Sequence, residues 1–349
     1  MVSTGEHRDA EGIPSRAQGA TQGAVADDCR DAGGRATQGA VAEFDLIRRY
    51  FAVQPPKHPF NQLGIGDDCA LLNPPAGYQL AVTADTMVEN VHFFADAEPE
   101  GLGHKLLAVN LSDLAAMGAE PFAVTLALTL PKVDPNWLQA FSQSFLNLAR
   151  HYNVDLIGGD TTAGPLTLTV QAMGVVPLGK ALRRSGAKVG DAIFVSGSIG
   201  DAGLGLKIKQ GYVCDQPEFA LRQFNQPLPE VELGIALRDV ANACIDISDG
   251  LAADLGHILE QSHVGASLNW EALDLSLPVL EYVERSGDWR MPLTAGDDYR
   301  LCFTVPAERI TQVPGDCRRI GMIEAEPGLR MIKAGQCHFL EAKGFEHFS

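Results

Sequence analysis

The sequence predicts a layered α/β or α+β fold divided into two domains. Apolar runs of strand length alternate along the chain with helical segments, which is the pattern of sheets covered by helices. The chain has 349 residues and 46% hydrophobic content, enough to bury a large core. A change of composition over residues 178–190 marks a domain boundary. We therefore expect an N-terminal domain over residues 43–178 and a C-terminal domain over residues 179–349.

The first 42 residues lack this patterning. They are rich in Ala, Gly, Gln and charged residues, and the phrase ATQGAVA occurs at 20–26 and again at 36–42. Two polar copies are too few for a packed repeat array. We expect residues 1–42 to be a disordered or low-complexity extension, and we assign it no function.

Helices and strands alternate in the N-terminal half. Residues 44–51 place apolar side chains at helical spacing. Asp134 followed by Pro135 predicts the N-cap and first turn of a second helix. Large residues alternate with Ala and Thr along FAVTLALTL, as on a sheet surface. Strands are predicted at residues 63–72, 78–87, 122–131, 154–162 and 166–177.

Residues 106–121, LLAVNLSDLAAMGAEP, predict a helix that is buried on all sides. Apolar residues cover nearly its whole circumference, and Gly118 and Pro121 are expected to end it. Asn110 and Asp113 lie one turn apart on the same face. A carboxylate in such surroundings needs a partner, which is either a backbone donor in the core or a bound cation.

The C-terminal half repeats the strand-to-helix pattern. AIFVSGS predicts a strand that leads through the glycine-rich loop at 200–205 into a helix ending near Lys209. ACIDIS predicts a strand before a helix over residues 249–262. Another strand is expected at 266–269, and LRMIKAGQCHFL predicts a terminal hairpin that turns at Ala334 and Gly335.

Charge and cysteine content narrow the range of partners and compartments. Lys plus Arg is 27 and Asp plus Glu is 44, giving a formal charge of −17 that repels nucleic acids and anionic membranes. The seven cysteines form no CxxC pair, so we expect reduced thiols and no zinc site. No apolar run reaches the roughly 18 residues that a membrane span needs, and the polar start MVSTGEHRDAEG does not resemble a signal peptide. We expect a cytoplasmic protein.

Aspartates recur near the ends of the predicted strands. They are Asp67, Asp68, Asp85, Asp160, Asp246, Asp249, Asp297 and Asp298. Each is a weak signal alone, because Gly-Asp is ordinary turn chemistry and Asp249 could support a helix start capped by Ser248. SGSIGDAGLG is also weak, since it lacks the GK[ST] of a P-loop. If the aspartates converge near Asp113, magnesium must cancel their repulsion, and a metal-bridged triphosphate is the natural ligand.

Seven motifs resemble those of the thiamine-monophosphate kinase family, in the aminoimidazole-ribotide-synthetase-like superfamily. In order they are EFDLI, LGIGDDCALL, HKLLAVNLSDLAAMGAEP, LIGGDTT, LRRSGAK, IDISDGLAADLGHI and KGFEHF. The resemblance implies transfer of the γ-phosphoryl group of ATP to thiamine monophosphate, the last step of thiamine diphosphate biosynthesis. It also implies a two-domain α/β fold whose N-terminal sheets pair across a homodimer.

The resemblance also implies roles for individual residues. Several Mg²⁺ ions would be held by Asp68, Thr83, Ala84, Asp85, Asp113, Asp160, Asp246 and Asp249. ATP would meet Gly159, Asp160, Arg184 and Ser248, and thiamine monophosphate would meet His92, Asp297 and Phe345. Arg184, Asp113 and Asp249 are the expected catalytic residues. The acceptor is already a phosphate anion, so we expect direct transfer with neither a strong general base nor a phospho-enzyme.

Two positions depart from the family pattern. The family's Gly-Glu-Asp-Tyr-Glu reads Gly296-Asp297-Asp298-Tyr299-Arg300 here, which shortens one acid and reverses a later charge. Ala84 replaces a hydroxyl residue, so a metal contact there must use the backbone carbonyl.

Alternative readings remain open at the level of sequence. His92 and Phe345 have structural interpretations, as a lone histidine and an aromatic residue near a terminus. The nearest rival enzyme is aminoimidazole-ribotide synthetase. Selenophosphate synthetase lacks support from a suitable Cys or Lys, and the ending EHFS argues against the hydrogenase-maturation dehydratase. A non-catalytic module that binds divalent cations or nucleotides is the rival of a different class.

Overall fold

The computed structural model describes residues 43–52, 57–342 and 344. The helices in these residues are α1 Glu43–Tyr50, α2 Pro99–Ala116, α3 Pro135–His151, α4 Asp201–Lys209, α5 Glu218–Asn225, α6 Val231–Ala236, α7 Leu251–Ser262, α8 Leu277–Ser286 and α9 Met291–Thr294. The strands are β1 Asn61–Leu63, β2 Leu71–Leu72, β3 Tyr78–Val88, β4 Glu120–Leu130, β5 Asp155–Ala163, β6 Thr167–Pro177, β7 Ala192–Val195, β8 Ala243–Asp246, β9 Gly265–Asn269, β10 Leu301–Val305, β11 Arg318–Glu324, β12 Gly328–Lys333 and β13 Gln336–Leu340.

The N-terminal half is built on a four-stranded sheet in the order β3-β6-β4-β5. β4 and β5 run parallel, and the other two pairs are antiparallel. The alternation predicted for β4 is present, since Val124, Leu126 and Leu128 are buried while Ala127 is exposed. Short strands β1 and β2 form a separate pair whose neighbouring residue Phe60 packs near Phe122.

The C-terminal half contains a seven-stranded mixed sheet in the order β13-β12-β9-β11-β7-β10-β8. Within this sheet, as far as the structure describes it, only β12 and β9 pair in parallel. The β12–β13 hairpin turns at Ala334 and Gly335, which both have positive φ, as predicted. α7 packs against β8, β10 and β12, so its N-terminal end lies beside the strand that carries Asp246.

Helix α2 is buried on all sides and contacts elements of both halves. It packs against α3, the strands β3, β4 and β6, and also α5, α6 and β8. Leu106, Leu107 and Leu111 are fully buried, which confirms the prediction of a helix without a solvent face. One apolar cluster runs from Leu46 through this helix to Phe303, so the two halves share a core.

Two local predictions and one alternative interpretation are wrong. Residues 63–72 are not one strand, because residues 64–70 form a connection between β1 and β2. Pro121 does not end α2; Gly118 does so with φ of 62°, and Pro121 lies inside β4 next to an irregularity in pairing. Ser248 is not the N-cap of α7, which begins after Gly250.

No helix among the described residues is long and apolar enough to cross a membrane. The six cysteines in that part of the chain are free thiols. Residues 1–42 lie outside the described residues, and the domain boundary near residue 178 stays a prediction.

Candidate active site

A cavity of about 950 Å³ lies between β3, the middle of α2 and the loops at residues 246–249 and 295–299. It is lined by eight of the residues predicted from the sequence, namely Ala84, Asp85, His92, Asp113, Asp246, Ser248, Asp249 and Asp297. Strand β3 and helix α2 are adjacent, and β8 meets the same helix, which is why carboxylates distant in sequence converge here. The predicted gathering of aspartates around Asp113 is therefore present for four of them.

Hydrogen bonds that involve polar residues of α2 hold the aspartates of this cavity in place. The side-chain oxygen of Asn110 accepts the backbone N–H of Asp85 at 3.1 Å. The Thr83 hydroxyl donates to Asp113, and the Ser112 hydroxyl donates to Asp246 at 2.8 Å. Hydrogen bonds to one turn of a buried helix thus connect three aspartates that belong to three different elements.

The carboxylates raise one another's pKa values. Burial, and then the charges of Asp113 and Asp249, raise the pKa of Asp85 to about 6. Burial, and then the charge of Asp113, raise the pKa of Asp246 to about 8. Burial also raises the pKa of Asp113, although the Thr83 hydrogen bond and the Arg184 charge oppose that rise. Arg184 is exposed and does not line the cavity, but its charge acts on Asp113.

The donor set suits Mg²⁺ held through few protein ligands per ion. The cavity supplies carboxylate oxygens, which are hard ligands, and their mutual repulsion is the condition that a divalent cation relieves. No group of three or more His, Cys, Asp or Glu side chains in the described ranges is close enough to form a ligand cage by itself. Mg²⁺ commonly binds one or two carboxylates and completes its shell with water and phosphate oxygens, so the residues fit this mode.

Asp254 is a site residue that the sequence analysis missed. One of its carboxylate oxygens accepts the backbone N–H groups of Ser248, Asp249 and Gly250 at 3.0, 3.0 and 3.1 Å. Burial is the main cause that raises its pKa to about 7. It holds the loop that presents Asp249, and the available signal was an acid on an otherwise apolar helix face.

Asp298 performs a similar structural task at the glycine-rich loop. It is buried and accepts the backbone N–H groups of Gly200 and Ala202 at 2.8 and 3.4 Å. Burial raises its pKa to about 7. Its carboxylate occupies amides at the start of α4 that a phosphate would otherwise use, so the loop is a strand-to-helix turn.

Asp297 lines the cavity from a loop that is hydrogen-bonded to residues 247–248. Its N–H donates to the Ser248 carbonyl at 2.9 Å. A Cβ on Gly296 would lie 2.1 Å from that carbonyl oxygen, so only glycine permits this approach. The Asp297 carboxylate accepts from the Tyr299 hydroxyl at 3.1 Å and from the Lys105 ammonium at 2.9 Å. Lys105 is the second residue that the sequence analysis missed, although a lone lysine entering an apolar helix was a signal.

Five of the predicted residues that the structure describes do not line this cavity. One of them, Thr83, nevertheless donates to Asp113, which does line it. Asp68 is exposed in the β1–β2 connection, and Arg184 is exposed after β6. Gly159 and Asp160 lie on β5, at the other edge of the sheet from β3. Their assignments, like those of the cavity residues, stay predictions.

Phe345 lies outside the described residues. The described Gly344 packs against Asp249, where an added Cβ would lie 2.3 Å from the carbonyl oxygen of Asp249. The predicted role of Phe345 stays a prediction.

Known proteins match this chain over most of its length. The AIR synthase related protein family matches with its N-terminal domain over residues 66–176 and with its C-terminal domain over residues 188–332. The thiamine-monophosphate kinase of Haemophilus influenzae is 45% identical over 323 residues, which make up 88% of this chain and 98% of that protein. This chain belongs to the thiamine-monophosphate kinases of the AIR synthase related family. The family expected from the sequence motifs is confirmed, together with its two-domain α/β fold.

Solved structures of this family share the fold. The crystal structure of thiamine-monophosphate kinase from Stenotrophomonas maltophilia K279a is 42% identical with a TM-score of 0.76, and the match covers 83% of this chain and 96% of that chain. AaThiL complexed with AMPPCP and TMP is 30% identical with a TM-score of 0.71, covering 79% and 89% respectively.

Proposed function

We propose that this protein transfers the γ-phosphoryl group of ATP to thiamine monophosphate, forming thiamine diphosphate and ADP. The observation that carries the proposal is the identity of 45% with a thiamine-monophosphate kinase over nearly that protein's whole length. The AaThiL complex with AMPPCP, an ATP analogue, and TMP supports the same pair of substrates. The cavity adds the carboxylates that such chemistry uses. The identity with thiamine-monophosphate kinases favours this enzyme over aminoimidazole-ribotide synthetase and over a non-catalytic binding module.

The chain's own residues position two anions rather than form a bond to either of them. Phosphoryl transfer is helped mainly by alignment and by neutralising charge. Asp85, Asp113, Asp246 and Asp249 would hold Mg²⁺, with Asp68, Thr83, the Ala84 carbonyl and Asp160 as further ligands. Magnesium, when bound, supplies positive charge to the phosphate oxygens. The acceptor phosphate needs no general base, so we expect direct transfer without a phospho-enzyme, with Arg184 contributing positive charge.

We also propose a homodimer formed through the N-terminal sheet. Strand β3 is an edge strand that exposes Leu80 and Val82 at 48% and 50%. An exposed apolar edge strand is a surface for pairing with another chain, and a second copy satisfies it with closed symmetry. Light scattering should give the mass of a dimer, and Leu80→Lys combined with Val82→Lys should give a monomer. A monomeric wild-type protein would contradict this part of the proposal.

In a dimer, Gly159 and Asp160 of one copy could contribute to the active site of the other copy. Across the sheet Asp160 is in register with Ala127, Thr169 and Thr86, so it faces away from the side on which Asp85 meets α2. Three strand spacings, about 14 Å, separate β5 from β3. We propose that Asp160 acts in the site of the second copy. Mixing inactive Asp113→Asn and Asp160→Asn proteins should then restore part of the activity, whereas a site within one chain would stay inactive.

We place the reaction in the cytoplasm. The support is the set of six free cysteines in the described residues together with the acidic composition.

One coupled assay tests the proposed activity against its rivals. ADP release is measured with thiamine, thiamine monophosphate or formylglycinamidine ribotide as the acceptor, each with ATP and Mg²⁺. We expect turnover that depends on thiamine monophosphate. Turnover with the ribotide alone would identify the rival enzyme, and nucleotide binding without turnover on any acceptor would identify a binding module.

A further inference from the structure

Lys105 is a buried cation at the boundary between two cavities. The residue is 6% exposed, although its side chain ends at the wall of the large acidic cavity. Its ammonium donates to Asp297 at 2.9 Å and lies 4.3 Å from the centre of the Phe224 ring. A buried lysine is costly unless its charge has a use or a partner, so its position needs an explanation.

The charge distribution of the large cavity makes Lys105 distinctive. Five aspartates line it, namely Asp85, Asp113, Asp246, Asp249 and Asp297. Lys105 is the only Lys or Arg among the described residues that line this cavity. It also lines an adjoining cavity of about 410 Å³, shared with His92 and with the aromatic residues Phe93, Phe94 and Phe224. The same aromatic residues also line the large cavity, so the ammonium lies where the aspartates meet an aromatic cluster that both cavities share.

This arrangement matches the two ends of the acceptor substrate. A thiamine phosphate carries two flat rings, of which the thiazolium is cationic, and these suit aromatic walls; its phosphate is attached through a short side chain on the thiazolium. The phosphate must approach the carboxylate-rich chamber, where a bare anion is repelled. An ammonium at the junction attracts it, and a lysine ammonium has three donors, of which Asp297 receives one.

We propose that Lys105 binds the phosphate of thiamine monophosphate and is a further substrate-binding residue of this enzyme. The inference rests on the proposed function and adds a residue to it. Asp297 and the Phe224 ring hold the ammonium ready, and the Tyr299 hydroxyl keeps Asp297 in place on the far side. The shorter acid at position 297 thus serves to orient Lys105.

Equilibrium titration with two ligands tests this role. Thiamine monophosphate and thiamine differ only by the phosphate, so a phosphate-binding residue affects their dissociation constants differently. In Lys105→Met we expect the dissociation constant for thiamine monophosphate to rise about 10- to 100-fold, as for loss of a charged hydrogen bond, while that for thiamine stays unchanged. Lys105→Arg, which keeps the charge, should recover part of the affinity. Equal weakening of both ligands, or no change for either, would overturn the proposal.

Lys180→Met is the matched control. Lys180 lines neither cavity and its ammonium lies 2.6 Å from Asp239, so the same chemical change there should leave both dissociation constants unchanged. A double variant distinguishes phosphate binding by Lys105 from a role in neutralising the charge of Asp297. If Lys105 served only to neutralise that acid, adding Asp297→Asn to Lys105→Met would restore the affinity for thiamine monophosphate. We expect no restoration.

The outcome is distinguishable from failure of the proposed function. A wild-type protein that releases no ADP with thiamine monophosphate would refute the function itself. A wild-type protein that does so, with unchanged affinity in Lys105→Met, would refute only the role of Lys105.

Discussion

Asp113 is the carboxylate on which the others depend. It accepts a hydrogen bond from the Thr83 hydroxyl, and its charge adds to the effect of burial in raising the pKa values of both Asp85 and Asp246. We expect Asp113→Asn to abolish magnesium-dependent turnover, because a neutral amide is a poor ligand for Mg²⁺. The fold should persist, and without Mg²⁺ the melting temperature should not fall, because a repulsive charge has been removed.

Steady-state rates and thermal melts of Asp113→Asn check this prediction. Asp249→Asn should behave in the same way, and Asp316→Asn, at an exposed loop position, is the control. Full activity in Asp113→Asn would refute its assignment as a ligand.

Asp254 contributes to the site indirectly. Its carboxylate binds backbone N–H groups of a loop, whereas that of Asp113 is expected to bind Mg²⁺. Asp254→Ala leaves three N–H groups of the 248–250 loop without their acceptor. We expect the free energy of unfolding to fall by about 3 kcal/mol and turnover to fall with it. Asp254→Asn keeps an acceptor oxygen and should lose less of both. Urea denaturation measures the difference, with exposed Glu260→Ala on the same helix as the control.

The sequence identified ligand-type residues better than the residues that support them. Asp85, Asp246 and Asp249 lie near the ends of apolar runs of strand length, so their convergence was predictable. Lys105 and Asp254 act through contacts with Asp297 and with a loop that a local pattern does not show. Their roles depend on which distant segments pack together.

At the scale of elements, the close crossing of α2 and α3 depends on one glycine. A Cβ on Gly103 would lie 2.3 Å from the carbonyl oxygen of Phe141, in the backbone of α3. Gly103→Ala must therefore push the helices apart, and we expect it to lower the free energy of unfolding by about 2–3 kcal/mol. Gly101→Ala is the matched control, because its Cβ would meet Asn225 at an ordinary 3.6 Å.

Thermal melts of the two glycine variants give a clear contrast. Alanine raises helix propensity by about 1 kcal/mol over glycine, so Gly101→Ala should be neutral or stabilising. Equal melting temperatures for the two variants would show that α3 moves away from the added methyl group without a loss of stability.

Element prediction succeeded where a periodic pattern was long. The alternation in β4, the capping Asp134 before α3 and the turn of the β12–β13 hairpin are all as predicted. It failed over residues 63–72, because an apolar run interrupted by Gly-Asp-Asp reads as one strand although the chain turns there. Short strands are set by tertiary pairing, which local composition does not encode.

At the scale of the whole molecule, the acidic cavity couples stability to pH and metal. Asp85 and Asp246 have pKa values of about 6 and about 8 in the folded protein, above the value of about 4 in an unfolded chain. Between these values the folded state binds more protons than the unfolded state. The contribution of these groups to the free energy of unfolding therefore falls as the pH rises from about 4 to about 8.

Melting temperatures measured with a chelator should show this fall. We expect a decrease of several degrees between pH 6 and pH 8, and a smaller decrease when Mg²⁺ is present, because a bound cation favours the charged carboxylates. Asp246→Asn should flatten the dependence. A pH-independent melting temperature for the wild type, or one that Mg²⁺ leaves unchanged, would contradict the proposed metal site.

The burial of α2 limits where this enzyme can change during evolution. Lys105, Asn110, Ser112 and Asp113 share one helix with the leucines that join the two halves, so altering its backbone to suit another acceptor would disturb folding as well. New substrate preference must instead arise at the rim, as at Val91, which lines the cavity and is 55% exposed. Mutant libraries designed to alter substrate specificity should therefore vary residues at the rim of the cavity.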